Sequence, residues 1–125
     1  MELKQKSIRS EAIKIKFMDK NKEAGRVFLY LIRNELHQKP YGLVEDLFVE
    51  KEYRGQGLGT KLVKEAVKLA KKKNCYKLLA TSRTENEGLH QWYQKLGFAK
   101  RGVEFRMDFV KLPPRSCVFS SKIKK

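Results

Sequence analysis

The chain is poor in the residues that hold metals: its only cysteines are Cys75 and Cys117 and its only histidines His37 and His90. The cysteines lie far apart and share no zinc-site spacing, so no metal is expected. Long apolar runs are also lacking. The longest, Val27-Phe28-Leu29-Tyr30-Leu31-Ile32, has the length of a strand and falls well short of the roughly 20 residues of a membrane span. The charged start, Met1-Glu2-Leu3-Lys4-Gln5-Lys6, has no apolar segment behind it. No secretory signal is visible, and a cytoplasmic protein without a membrane partner is expected. Prolines are few: Pro40 falls in a loop, and Pro113-Pro114 ends the regular structure. Acids are scarce, with 14 Asp+Glu against 29 Lys+Arg and a net charge of +15. That excess favours an anionic ligand or partner through the summed field. A lysine-rich solvated surface gives the same figure, so charge alone does not select nucleic acid.

What is present describes one domain, residues 1–112, followed by a basic tail, 113–125. At 125 residues it is long enough to bury roughly two thirds of its unfolded surface without covalent staples. Ala12, Lys14 and Lys16 alternate with Ile13, Ile15 and Phe17, the pattern of a half-buried strand. A polar connection over residues 18–25 leads to a second strand, Arg26 to Ile32, and the two make a hairpin. A loop over 34–41 precedes a third strand, Gly42 to Val49, in an antiparallel meander. From Leu58 the period becomes helical: Leu62, Val63, Ala66, Val67 and Ala70 form one face, with lysines on the other and Asn74 at the C-terminal cap. Cys75 to Thr81 reads as a strand parallel to the third. Thr84-Glu85-Asn86-Glu87 has the form of a capping box opening a second helix with stripe Leu89, Trp92, Tyr93, Leu96 and a left-handed stop at Gly97. Phe98 to Val110 alternates like a closing hairpin. The fold class is therefore α/β (α+β): a single mixed, mostly antiparallel sheet with helices packed on it.

The third strand is followed directly by Glu50-Lys51-Glu52-Tyr53-Arg54-Gly55-Gln56-Gly57-Leu58-Gly59-Thr60 and the first helix. Glycines on alternate positions let a backbone approach something closely, and the new helix aims its unpaired N–H groups there, so an anion is expected. A Walker loop requires Gly-Lys-Ser/Thr, whereas here the order is Gly59-Thr60-Lys61. A dinucleotide fingerprint fails at Thr60, where its third glycine would stand.

Arg54-x-x-Gly57-x-Gly59 resembles the acetyl-coenzyme A pyrophosphate loop of the GNAT superfamily of N-acetyltransferases. Val49-x-x-x-Tyr53-Arg54-Gly55, and Asn86 seven residues ahead of Tyr93 in Trp92-Tyr93-Gln94-Lys95-Leu96-Gly97-Phe98, resemble two further blocks of that family. Val44-Glu45-Asp46, Cys75-Tyr76-Lys77 and Gly102-Val103-Glu104 are similar to glucosamine phosphate N-acetyltransferases. The resemblance spans about half the chain. It implies the GNAT fold, here with the N-terminal helical pair of that fold apparently missing. It also implies acetyl-coenzyme A (acetyl-CoA) as cosubstrate and transfer of acetyl to a primary amine by direct attack through a tetrahedral intermediate. Leu47, Phe48 and Val49 would pair with the pantetheine arm. Arg54 to Thr60 (Arg54, Gly55, Gln56, Gly57, Leu58, Gly59, Thr60) would hold the pyrophosphate. Asn86 would bond the arm, and Lys95 would reach the nucleotide phosphate.

The chemistry needs a base for the amine, donors for the oxyanion and an acid for the sulfur. Tyr93 matches the family's acid and, with an ordinary pKa of about 10, carries its proton at neutral pH. An N–H near Phe48 or Val49 would serve the oxyanion. Glu45 and Asp46 are the base candidates, acting directly or through water. Neighbours on a strand face opposite ways, so only one should meet the amine unless a bulge turns the chain, and Glu45 is the first choice. In the sugar phosphate enzymes an Asp stands nine residues before the tyrosine; Thr84 stands there here, so the acceptor is an amine of unknown class. A homodimer completed through the closing hairpin and tail stays open. Two other readings compete. One is a non-catalytic acyl-CoA-binding module. The other is a basic nucleic-acid-binding protein, disfavoured because exposed aromatics do not visibly cluster on strands.

Overall fold

The computed structural model describes residues 1–111. Four strands form one sheet in the order β1-β2-β3-β4: β1 Glu11–Asp19, β2 Lys22–Ile32, β3 Tyr41–Val49 and β4 Leu78–Ala80. The first three pair antiparallel, and β4 runs parallel to β3, so the sheet is mixed and mostly antiparallel. Helix α1, Leu58–Lys72, joins β3 to β4, and α2, Glu87–Lys95, follows β4.

Strand β2 explains the layering. Val27, Leu29 and Leu31 are buried while Arg26, Phe28, Tyr30 and Ile32 between them are half-buried. The buried set meets Leu62, Val63, Ala66 and Ala70 of α1 in the core. Leu62 and Val63 are enclosed at 1% and 0% exposure. Burying two such side chains stabilises the helix on the sheet by about 3–6 kcal/mol. Lysines fill the opposite face of α1, as the helical period requires.

Both helices end in the same way. After α1, Asn74 takes φ 63°, and its N–H and that of Cys75 donate to Lys71 (3.0 Å) and Ala70 (3.0 Å). After α2, Gly97 takes φ 104°, and its N–H and that of Phe98 donate to Gln94 (3.0 Å) and Tyr93 (3.0 Å). This is the Schellman arrangement, which satisfies the last carbonyls of each helix. Asn74 thus follows the cap, Lys73, and does not form it.

Four expectations are corrected. The first hairpin turns on Lys20 and Asn21 alone, because residues 18, 19 and 22–25 join the ladder with a bulge at Phe17/Met18. Strand β4 has three residues, since Cys75 closes the end of α1 and the chain reaches the sheet only at Leu78. The N-cap of the second helix is Asn86, and Thr84 lies in the preceding turn. Residues 99–111 form no strand, and Val103, Phe105, Met107 and Phe109 are exposed. The expected end of regular structure at Pro113-Pro114 and the basic tail, 113–125, lie outside the described residues. No helix among the described residues is long and apolar enough to cross a membrane.

Candidate active site

The site is built where β3 meets α1. Phe28 of β2 stands opposite Glu45 and Arg26 opposite Phe48, so Asp46 and Leu47 together face Val27. Two residues against one is a β-bulge, and Asp46 in it takes a left-handed φ of 57°. A bulge interrupts the ladder and re-aims side chains. Glu45 is exposed beside Phe28, while Asp46 reaches Arg26, which lies on the same face as Phe28. Both candidate bases therefore project from one side of the sheet, the condition under which the alternation rule fails.

Their surroundings separate them. Arg26 Nη2 donates to Asp46 Oδ1 and Oδ2, each at 3.4 Å, and its Nη1 lies 3.9 Å from Glu23 Oε2. Lys14 Nζ donates to Glu23 Oε1 at 2.6 Å and holds that carboxyl below the usual carboxylate range. Asp46 is thus part of a charge network, whereas Glu45 stands in solvent. Phe48 is covered by cations: Arg26 Cζ and Arg54 Cζ lie 5.1 and 5.4 Å from its ring centre, a cation–π arrangement.

Downstream, a short 3₁₀ turn, Lys51–Tyr53, leads into the glycine loop. Tyr53 donates its hydroxyl to Asp19 Oδ2 at 2.5 Å, tying this turn to the first hairpin, and the bond raises the Tyr53 hydroxyl above its ordinary pKa. The Lys22–Glu52 pair makes a second tie. Arg54 folds back, its Nε donating to the Val49 carbonyl at 2.8 Å. Gly55 and Gly57 take φ of 84° and 79°. At Gly57 an added Cβ would meet nothing within 4 Å, so the peptide lies open to an approaching ligand. Gly57 is also the N-cap of α1, with no side-chain capping bond and no acid in the first turn. The first N–H groups of a helix have no partner inside it, and the positive dipole end favours an anion. Gln56 is exposed, Leu58 and Thr60 are half-buried and Gly59 is buried in the helix start.

Helix α2 is tied to this point. Trp92 Nε1 donates to Thr60 Oγ1 at 3.3 Å, which links the helix of Tyr93 to the start of α1. Tyr93 is half-buried and packs between Trp92 and Phe98, with ring centres 5.1 and 5.3 Å away. Asn86 accepts the Leu89 N–H on Oδ1 at 3.1 Å as N-cap. Lys95 stands exposed at the other end of α2, about 13 Å along its axis from Asn86. A ligand that reaches both must run the length of the helix.

The strand and loop candidates follow one another in the chain, and α2 is linked to them through the bond from Trp92 to Thr60. Sequence reasoning missed Arg26 and Trp92. The first lacked any motif, and the second read as one more apolar residue of a stripe. His90 is half-buried and bonds the Arg83 carbonyl through Nε2 at 2.8 Å.

A profile of the acetyltransferase (GNAT) family matches residues 11–98. The chain is 38% identical over 68 residues to a probable glucosamine 6-phosphate N-acetyltransferase 2 of Oryza sativa subsp. japonica, a stretch covering 54% of this chain and 39% of that protein. It is 36% identical over 67 residues to the glucosamine 6-phosphate N-acetyltransferase of Trypanosoma brucei brucei, covering 54% and 44%. The match therefore spans less than half the length of these relatives. Among solved structures, an acetyltransferase of Trypanosoma brucei superposes with a TM-score of 0.70 at 26% identity, over 78% of this chain and 69% of that one.

Proposed function

The chain belongs to the acetyltransferase (GNAT) family, and from that membership we propose that it moves an acetyl group from acetyl-CoA to a primary amine. One observation carries the reading: a bulged strand leads through a short turn and glycine loop to a helix N-terminus without a side-chain capping bond, whose N-cap, Gly57, is left-handed and open. An anion fits the loop because N–H groups are offered without a competing carboxylate.

In this reading the backbone of Arg54 to Thr60 holds the pyrophosphate, with Arg54 adding charge. Leu47, Phe48 and Val49 bind the pantetheine arm by their main chain, since among the described residues β4 pairs with β3 only from Gly42 to Val44 and leaves that edge beyond it for a ligand. Asn86 contributes to the arm from the head of α2, and Lys95 to the far end of the nucleotide. Glu45 takes the proton of the attacking amine, directly or through water, because Asp46 is already held by Arg26. An N–H at Phe48 or Val49 supports the oxyanion of the tetrahedral intermediate. Tyr93 gives its proton to the departing sulfur as the carbon–sulfur bond breaks. Trp92 fixes the helix that carries Tyr93 against Thr60.

Relatives named for glucosamine 6-phosphate make a phosphorylated amino sugar one acceptor to test, but Thr84 occupies the place where those enzymes are expected to carry an acid. The acceptor proposed is therefore an amine joined to an anionic group, within a wider panel of peptides and polyamines. The first test is thermal: at about 100 times its Kd, acetyl-CoA should stabilise the fold by about 2.7 kcal/mol. No shift at millimolar ligand with folded protein would overturn the reading. A shift without turnover on any amine would favour the non-catalytic acyl-CoA-binding module.

A further inference from the structure

We propose that the sheet face opposite α1 binds single-stranded nucleic acid, bases stacking on its aromatic rings and phosphates meeting its flanking cations. This does not rest on the acetyl-transfer reading. Along β2 the face presents Arg26, Phe28, Tyr30 and Ile32. The register adds Lys14 beside Phe28 and Lys16 beside Arg26 from β1, and Leu43 beside Tyr30 and Tyr41 beside Ile32 from β3. The Phe28 and Tyr30 rings lie parallel, 11° apart in plane and 6.1 Å between centres. Tyr76 continues the row, 6.1 Å from Tyr41 and 4.2 Å from His37. Alternate residues of a strand repeat at about 6.6–6.8 Å, so each ring can carry one base of an extended strand. Four-stranded sheets that present aromatic rings on one face are a known solution to single-strand binding.

Cations line the same row. Lys14 Nζ lies 6.0 Å from the Phe28 ring centre, and Lys77 Nζ lies 5.1 and 5.5 Å from those of Tyr41 and Tyr76. Acids share the face: Glu45 is exposed opposite Phe28, and Glu23 and Asp46 are paired with Lys14 and Arg26. The strand is therefore held toward Tyr30, Tyr41, Tyr76 and Lys77. A net charge of +15 supplies long-range attraction. An acidic peptide would use the cations but leave the rings without a role, and duplex bases could not stack on them. Sequence reasoning disfavoured nucleic acid because exposed aromatics do not visibly cluster on strands; the sheet brings Phe28, Tyr30 and Tyr41 onto one face, with Tyr76 beside Tyr41.

The test is fluorescence anisotropy of the whole chain with a labelled oligonucleotide of mixed sequence at low salt. It is competed with a base-free sugar-phosphate strand of equal length, with duplex and with an acidic peptide. The single strand should bind at least about tenfold more tightly than any of the three, the scale of one stacked base. Tyr30→Leu and Tyr41→Leu, which keep apolar bulk, should each weaken it about tenfold with unchanged affinity for the base-free strand. A double variant of the opposite helix face, Lys64→Gln with Lys68→Gln, should keep the preference for bases. The proposal is overturned if the base-free strand or the peptide competes equally, if the leucine variants bind as wild type, or if the α1 variant abolishes binding. Failure to bind at low salt overturns it too. If the leucine variants do not fold, the base-free comparison on the wild-type chain decides alone.

Discussion

Replacing Gly57 or Gly97 by alanine separates a glycine needed by the fold from one needed by a ligand. Both are left-handed, at φ 79° and 104°, and at both an added Cβ meets nothing within 4 Å. The two substitutions therefore carry the same kind of cost, the left-handed strain of an L-residue, about 1–2 kcal/mol. For a chain of 125 residues each kcal/mol corresponds to about 4 °C in Tm, so each variant should melt about 4–8 °C below wild type. Their responses to acetyl-CoA should diverge. Stabilisation of about 2.7 kcal/mol at 100 times Kd amounts to about 10 °C for wild type and for Gly97→Ala. At Gly57 the methyl would occupy the space into which the pyrophosphate is drawn. A tenfold loss of affinity there removes about 1.4 kcal/mol, halving the shift. Differential scanning fluorimetry with and without ligand reads both quantities. Equal ligand shifts in the two variants would refute the placement of the pyrophosphate at Gly57.

Glu45→Gln should lower kcat by about 10²–10⁴ with little change in Tm, whereas Asp46→Asn, which keeps tolerance for the left-handed bulge, should change kcat much less; the reverse order in steady-state kinetics would move the base to Asp46. Trp92→Phe keeps the ring but removes the bond to Thr60, and should cost about 1 kcal/mol of stability together with kcat, measured by urea unfolding and turnover; unchanged values would show that this bond does not position Tyr93. Tyr53 has its pKa raised by the bond to Asp19, so its contribution is fully present below the ordinary tyrosine value and is lost as pH rises through the raised one. The Tm gap between wild type and Tyr53→Phe should accordingly close as pH climbs above about 10; a gap constant with pH would show that the hydroxyl bond is not its source.

The strand order and the first helix were legible because alternation and helical period are local signals that burial enforces. Val27, Leu29 and Leu31 had to face α1, and Val27 packs with Leu62 and Ala66 while Leu29 and Leu31 pack with Ala70. The glycine loop was legible for a similar reason, since Gly55 and Gly57 take conformations other residues avoid. What failed depended on competition between neighbours. Thr84 and Asn86 are both good caps, and the choice fell to Asn86, whose Oδ1 reaches the Leu89 N–H. The bulge at Asp46 has no sequence signal, because it is set by how β3 registers against β2. The alternation of Val103, Phe105, Met107 and Phe109 has the period of a strand, but a strand needs a paired neighbour, and these residues remain exposed. The aromatic face was illegible in principle, as its rings come from β2, β3 and the connection before β4.

Acetyl transfer itself is tested most directly by following a labelled acetyl group from acetyl-CoA into the amines of the panel by mass spectrometry, with free thiol counted in parallel. The account predicts one thiol released per labelled amide formed, with both lost together in Tyr93→Phe near neutral pH. Thiol release without labelled amide, or an amide formed equally well by Tyr93→Phe, would contradict it.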